Sequence, residues 1–235
     1  MTEEKKRIHL LDLWRSLAIV CMVWYHYLYN LAAIGVVTWT ELFSMPISLL
    51  QIFSSYSFIL LSGISSHLSR SNLKRGSIVL GWSVAVSAVT IYIGEPILFG
   101  ILHFLGVCMV IYGLLGKYIK RVKISPIIWL FFFIVAKIWM DGARLVNARF
   151  LFPLGFRYAG FRSADYYPLL PWVFLFLLGT RLGGVLTERR DEWNWLYTPV
   201  PRVLTWAGRN SLVVYLAHQP IIIALLYMAG LTWHP

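Results

Sequence analysis

The first long apolar stretch of the chain contains an arginine and a histidine, Arg15 and His26, eleven residues apart. Eleven helical steps of about 100° return to within about 20° of the starting direction, so the two side chains share one face of a helix, roughly 16 Å apart. Asp12, Ile19 and Asn30 fall on the same stripe. Because ionisable groups inside a bilayer are costly, they usually indicate a functional pathway. We therefore expect this helix to carry functional residues.

The two side chains suit a transfer reaction. A neutral imidazole near pH 7 can take a proton from an acceptor hydroxyl or amine, and a guanidinium can bind a phosphate or carboxylate through paired N–H donors. A structural explanation remains open for both residues. Asp12 and Arg15 can simply neutralise each other near the membrane surface, and His26 can be a hydrogen-bonded strut between helices.

Composition predicts an all-α, polytopic membrane protein. Of 235 residues, 59% are hydrophobic and 13% are charged, whereas average globular proteins carry about 25% charged residues. Apolar runs long enough to cross a hydrocarbon layer of ~30 Å recur along the chain. We find no internal repeat and treat residues 1–235 as a single membrane domain. The net charge of +11 is typical of basic cytoplasmic loops and does not call for nucleic-acid binding.

Hydropathy predicts about seven transmembrane helices. Their expected ranges are Leu10–Ile34, Pro46–Leu68, Ser77–Ile93, Ile97–Leu115, Pro126–Met140, Pro168–Val185 and Ser211–Gly230.

Loop charges predict the orientation. The loops that would lie on one side of the membrane are basic, through Lys5, Lys6, Arg7, Arg70, Lys74, Arg75, Lys117, Lys120, Arg121, Lys123, Arg189, Arg190 and Arg202. The positive-inside rule therefore places the N-terminus in the cytoplasm. The predicted outer stretch, residues 141–165, is an exception to this rule because it contains Arg144, Arg149, Arg157 and Arg162. This excess of positive charge is either tolerated or kept to bind an anionic ligand.

With that orientation, three polar side chains fall toward the outer face. His26 and His103 lie in the outer halves of their spans and Asp165 lies where the sixth span begins, so we expect them to converge on one outward-facing cavity. His218 would lie near mid-depth, as a strut or as part of a polar path. The six histidines are scattered without an i, i+4 pair, so no metal site is expected.

Five ordered motifs resemble the heparan-α-glucosaminide N-acetyltransferase catalytic-domain family, in a compact bacterial form. They are residues 7–26 (RIHLLDLWRSLAIVCMVWYH), 61–65 (LSGIS), 99–106 (FGILHFLG), 165–172 (DYYPLLPW) and 208–220, which contain GRNSL and YLAHQP. The spacing of Arg15 and His26 is also similar to that in the wider integral-membrane acyltransferases that modify cell-surface sugars.

The resemblance implies a transmembrane acyltransferase of a bacterial cytoplasmic membrane. Acetyl-CoA would donate from the cytoplasm, and an extracytoplasmic glycan-like acceptor, an amino sugar or sugar hydroxyl, would be acetylated. His26 would be the catalytic base or a transient acetyl carrier, with His103 and Asp165 orienting base or acceptor. The coenzyme phosphates would be bound by the basic residues Arg15, Lys74, Arg75 and Lys117, with Asp12 as the acidic partner of Arg15.

The family's lysosomal members place their active histidine in the loop beyond the first span, whereas this chain has no histidine between Tyr27 and Ser66. That role therefore does not carry over to the loop, and heparan as the acceptor does not carry over either. A multi-span transporter or proton and solute permease is the alternative, and a scaffold subunit is a third. A homodimer is left open.

Overall fold

The computed structural model describes residues 8–142 and 145–231, and this part of the chain is helical. The only β-type pairing found within those ranges is an isolated parallel bridge between Phe99 and Tyr166. The predicted all-α fold class is confirmed. Some of the charges used to predict orientation lie outside the described residues, namely Lys5, Lys6, Arg7 and Arg144.

The helices follow the predicted apolar spans. They are α1 (His9–Ala33), α2 (Trp39–Leu42), α3 (Met45–Leu68), α4 (Asn72–Tyr92), α5 (Ile101–Ile119), α6 (Pro126–Asp141), α7 (Leu169–Glu188), α8 (Arg202–Arg209) and α9 (Ser211–Met228). Two short 3₁₀ segments, Arg149–Leu154 and Asn194–Tyr197, lie in the connections.

Six of these helices are long and apolar enough to cross a membrane. They are α1, α3, α4, α5, α7 and α9. The fifth predicted span, Pro126–Met140, forms the 16-residue helix α6. At about 1.5 Å per residue, α6 extends about 24 Å and is shorter than a hydrocarbon layer of ~30 Å. Among the described residues, six helices therefore meet the length and composition of a full span, and α6, which matches the fifth predicted range, is a shorter seventh apolar helix.

Two helix starts follow from local sequence. At α2, the Thr38 hydroxyl accepts the Glu41 N–H at 3.1 Å and the Glu41 carboxylate accepts the Thr38 N–H at 2.8 Å, which is a capping box. At α6, the Ser125 hydroxyl accepts the Ile127 N–H at 3.4 Å, and Pro126 occupies the first turn, where its missing N–H costs nothing.

The chain forms two compact units. The first is made of residues 1–58 and 191–235, and in it α1 packs against α8 and α9. Gly208 of α8 approaches α1 so closely that its N–H donates to the Ser16 hydroxyl at 2.8 Å. Further along α1, Leu31 packs with Ile222 and Leu226 of α9. One side of α1 is therefore covered by the C-terminal helices.

The second unit, residues 59–190, is built on close helix contacts at glycine. α4 packs on α5, where a methyl group added at Gly106 would lie 2.6 Å from Leu80 Cγ. α3 meets α7 at Gly63, where an added methyl group would lie 2.9 Å from the Thr180 nitrogen and 3.0 Å from Gly179 Cα. In membranes small residues let helix backbones approach in this way. In the same unit, α6 packs against α7.

We predict that Gly63→Ala destabilises the protein, because its new methyl group would meet α7 backbone, which cannot move aside as a side chain can. The expected cost is about 1–3 kcal/mol. The measurement is the melting temperature of purified protein in detergent. Gly81→Ala is the matched control, because a methyl group there meets nothing within 4 Å. Equal melting temperatures for the two variants would contradict this packing.

Candidate active site

Two histidines from distant parts of the chain face each other in the first unit. His26 on α1 and His218 on α9 have ring centroids 4.9 Å apart, with an angle of 52° between the ring planes. His218 is buried and His26 is partly buried. The neighbouring residue, Gln219, places its side-chain nitrogen 3.0 Å from His26 Nδ1. The pair therefore lies where α1 packs against α9.

A chain of hydrogen bonds selects the tautomer of His26. The backbone oxygen of His26 can only accept, so the group of Asn30 that lies 2.7 Å from it is the amide NH₂. That NH₂ also donates to Gln219 Oε1 at 2.9 Å, which leaves the Gln219 NH₂ facing His26 Nδ1. His26 Nδ1 must therefore accept, and the neutral ring carries its proton on Nε2.

The same reasoning gives His218 the opposite tautomer. Its Nδ1 lies 2.5 Å from the backbone oxygen of Tyr215, so Nδ1 carries the proton and donates. Its Nε2 is buried and has no hydrogen-bond partner among the residues that the structure describes. Neutral His218 thus presents an uncommitted lone pair, and neutral His26 presents an N–H. Together they can supply one proton acceptor and one hydrogen-bond donor.

Arg15 lies at the other end of the same side of α1. It donates to Asp12 at 3.0 Å and to the Gly208 oxygen at 3.4 Å. Asp12 is buried and also lies 3.6 Å from Arg209 Nε of α8. The carboxylate therefore pairs with two guanidiniums, leaving a net positive charge at the end of α1 that is predicted to be cytoplasmic. The polar stripe of α1 meets α8 near Arg15 and α9 near His26.

In the second unit, His103 is tied to the loop before α5. Ser87 donates its hydroxyl hydrogen to the Ile97 oxygen, so its oxygen accepts from His103 Nε2 at 3.2 Å. His103 Nδ1 is then the lone-pair nitrogen, and within residues 8–142 and 145–231 this buried atom has no hydrogen-bond partner. Phe99 stacks on the ring at a centroid distance of 5.7 Å.

Asp165 lies at the start of α5. Its carboxylate accepts the Ile101 N–H at 2.8 Å, supplying the cap that Gly100 cannot provide. A side chain at position 100 would collide with this carboxylate, so the close approach requires glycine. Burial raises the pKa of Asp165 to about 6, and the bond from Ile101 opposes that rise.

The remaining predicted site residues are basic and exposed. Lys74 and Arg75 lie at the start of α4 and Lys117 lies near the end of α5. α4 and α5 are antiparallel neighbours, as the close approach of Gly113 to Leu73 shows, so all three cations lie at one end of this hairpin.

Convergence of the predicted outer-face residues stays a prediction. His26 belongs to the first unit, whereas His103 and Asp165 belong to the second. Within the described ranges no group of three or more His, Cys, Asp or Glu side chains is arranged to hold a metal ion.

His218 was predicted only as a strut or as part of a polar path, and two further members of the site were missed. Gln219 and Arg209 were not among the candidate residues, although both adjoin the stripe of α1. Gln219 carries a usable signal, because an amide next to a histidine inside an apolar span needs a polar partner. Its partner is 193 positions away along the chain, and no local pattern reports such a distance.

Comparison with known protein families identifies the chain. Residues 7–220 match the catalytic region of heparan-alpha-glucosaminide N-acetyltransferase, and the chain therefore belongs to that family. It is an integral membrane protein of an acetyltransferase family. No curated protein and no solved structure shows significant similarity to it.

We predict that Asp165 makes stability depend on pH. Its pKa is 3.8 in an ordinary setting and about 6 here, so the folded protein holds the proton more tightly than the unfolded chain does. This contribution is complete below pH 3.8 and is lost as the pH rises through about 6.

Asp165→Asn is the matched variant, because its amide oxygen can still accept the Ile101 N–H but does not ionise. The melting temperature of the wild type relative to this variant should fall between pH 4 and pH 6 and level off above pH 7. Parallel melting curves across that range would contradict the assignment.

Proposed function

We propose that this protein transfers an acetyl group from cytoplasmic acetyl-CoA to an extracytoplasmic glycan-like acceptor, an amino sugar or a sugar hydroxyl, at a bacterial cytoplasmic membrane. Membership of an acetyltransferase family supports the reaction class. The observation that carries the proposal is the pairing of His26 with His218, in which one imidazole offers a proton and the other a lone pair.

The two histidines divide the chemistry between them. His218 Nε2 takes the proton of the acceptor amine or hydroxyl as its nitrogen or oxygen attacks the thioester carbonyl carbon. His26 donates its Nε2–H to the carbonyl oxygen as negative charge develops there. The new C–N or C–O bond forms, the C–S bond breaks, and the leaving thiolate receives the proton held by His218.

This division modifies the expectation from sequence. His26 keeps a catalytic role, but as a hydrogen-bond donor rather than a base. The Nδ1 of His26 already accepts a bond from Gln219, so the Nε2 of His26 carries the proton. A transient acetyl carrier would need a free lone pair on Nε2, which this tautomer lacks. We also propose that His103 and Asp165 orient the acceptor or the base, as their predicted positions in the outer half of the membrane suggest.

Donor phosphates are proposed to bind at the Arg15 end of α1. Arg15 and Arg209 provide guanidiniums suited to phosphate oxygens, and the buried Asp12 holds both in position. Lys74, Arg75 and Lys117, which lie at one end of the α4 and α5 hairpin, are proposed as further residues that bind the coenzyme.

We predict that His26→Ala and His218→Ala each lose acetyl transfer while still binding labelled acetyl-CoA. Loss of a general base costs about 10²–10⁴-fold, and loss of an oxyanion donor costs about 10²–10³-fold. The assay follows coenzyme thiol release by detergent-purified protein supplied with acetyl-CoA and glucosamine. Wild-type protein that binds no acetyl-CoA saturably would favour transport or scaffolding instead.

Gln219→Glu separates the two roles of His26. A carboxylate can still accept from Asn30, but it must also accept from His26 Nδ1–H, which moves the lone pair to Nε2. If His26 is the donor, this variant loses turnover. If His26 is itself the base, turnover is kept or increased. Gln219→Leu removes the bond without reversing it and serves as the control.

A further inference from the structure

A small cavity of about 50 Å³ opens within the second unit. It lies where α3, α5 and α7 end and α6 begins, and these ends are predicted to face the cytoplasm. Most of the polar side chains that line this cavity can donate hydrogen bonds. The relevant lining residues are His67, Tyr112, Lys120, Trp129, Arg181 and Glu188.

Two cations reach this cavity from different helices. Lys120 follows the last turn of α5 and its Nζ donates to the His67 backbone oxygen at 3.0 Å. Arg181 lies two turns before the end of α7. Because the chain contributes them from positions 61 residues apart, their meeting at one cavity was not visible in the sequence as a basic cluster.

Arg181 keeps unused donor capacity. Its Nη1 lies 3.4 Å from Glu188 Oε1, which is long for a charge-assisted bond. Its Nε is buried and lacks a hydrogen-bond partner in the part of the chain that the structure describes. The Glu188 side chain is 53% exposed, whereas that of Arg181 is 22% exposed, so the carboxylate can turn toward solvent while the guanidinium stays in place.

A glycine brings the imidazole and the guanidinium to the same part of the cavity wall. A methyl group added at Gly184 would lie 3.0 Å from Arg181 Nη1 and 3.3 Å from His67 Cε1. His67 Nδ1 lies in turn 3.3 Å from the Tyr112 hydroxyl. The arginine of α7 and the lysine and tyrosine hydroxyl of α5 are donors that match the several acceptor oxygens of a phosphate group.

We propose that this cavity binds the phosphate group of a phosphorylated ligand, with Arg181 and Lys120 as the two cationic contacts. Phosphate fits better than a carboxylate because it offers oxygens in three directions, and the donors reach the cavity from two helices, α5 and α7. The phosphate belongs either to a soluble coenzyme or to the headgroup of an anionic lipid. The proposal does not depend on acetyl transfer.

The test measures binding of two probes to the full-length protein in detergent. One probe is radiolabelled coenzyme A, measured by equilibrium dialysis, and the other is phosphatidylglycerol, measured by native mass spectrometry. Arg181→Gln and Lys120→Gln should each weaken the binding of one of these probes by about 10-fold or more, because each removes a charge-assisted hydrogen bond to the phosphate. The probe that responds identifies the source of the phosphate.

Lys123→Gln is the matched control, because it removes an exposed charge at the same end of α5 without lining the cavity. It should change binding less than about 2-fold, in line with the small contribution of exposed charges. Arg181→Lys tests folding and geometry together, since it keeps the charge and loses the planar fork. Equal binding by Arg181→Gln and Lys123→Gln, for both probes, overturns the proposal. Binding that depends on Arg181 in a protein without acetyl transfer would separate this site from the proposed function.

Discussion

The backbone carbonyl of His26 can accept a hydrogen bond but cannot donate one, and the polar arrangement around it follows from that constraint. It orients the Asn30 amide, which orients the Gln219 amide, which in turn leaves His26 Nδ1 as an acceptor. A flipped amide at either position would set two donors or two acceptors against each other. In a membrane helix such a mismatch is costly, because no water is present to relieve it.

The helices around this chain of bonds hold it in place. Gly208 brings α8 onto α1 near Arg15, and the apolar contact of Leu31 with Ile222 and Leu226 holds α9 against the far end of α1. The imidazoles of His26 and His218, which we propose to react, are thus carried by helices rather than by loops. Asp12 performs a related task at the other end, where it keeps two guanidiniums side by side. Rigid placement of this kind is what acyl transfer requires of its donors and acceptors.

Much of this architecture could be predicted from sequence, because apolar periodicity reports helices directly. The eleven-residue spacing of Arg15 and His26 predicted a shared face, and that face meets α8 and α9. The helix α6 is shorter than a full span because it begins at Pro126, after the Ser125 cap, and ends at Asp141 before Gly142. The roles of Gln219 and Arg181 could not be predicted, since they depend on contacts between distant helices. The tautomer of a histidine is still harder to predict from sequence, because it depends on whether the oxygen or the nitrogen of a neighbouring amide faces the ring.

The central claim is that His26 and His218 hold their protons on opposite ring nitrogens. Nitrogen NMR of protein labelled with ¹⁵N-histidine distinguishes the two, because protonated and lone-pair ring nitrogens resonate far apart, and single His→Gln variants assign the signals. We predict a proton on Nε2 for His26 and on Nδ1 for His218 in the neutral protein. A His26 ring protonated on Nδ1, with its lone pair on Nε2, would contradict the account.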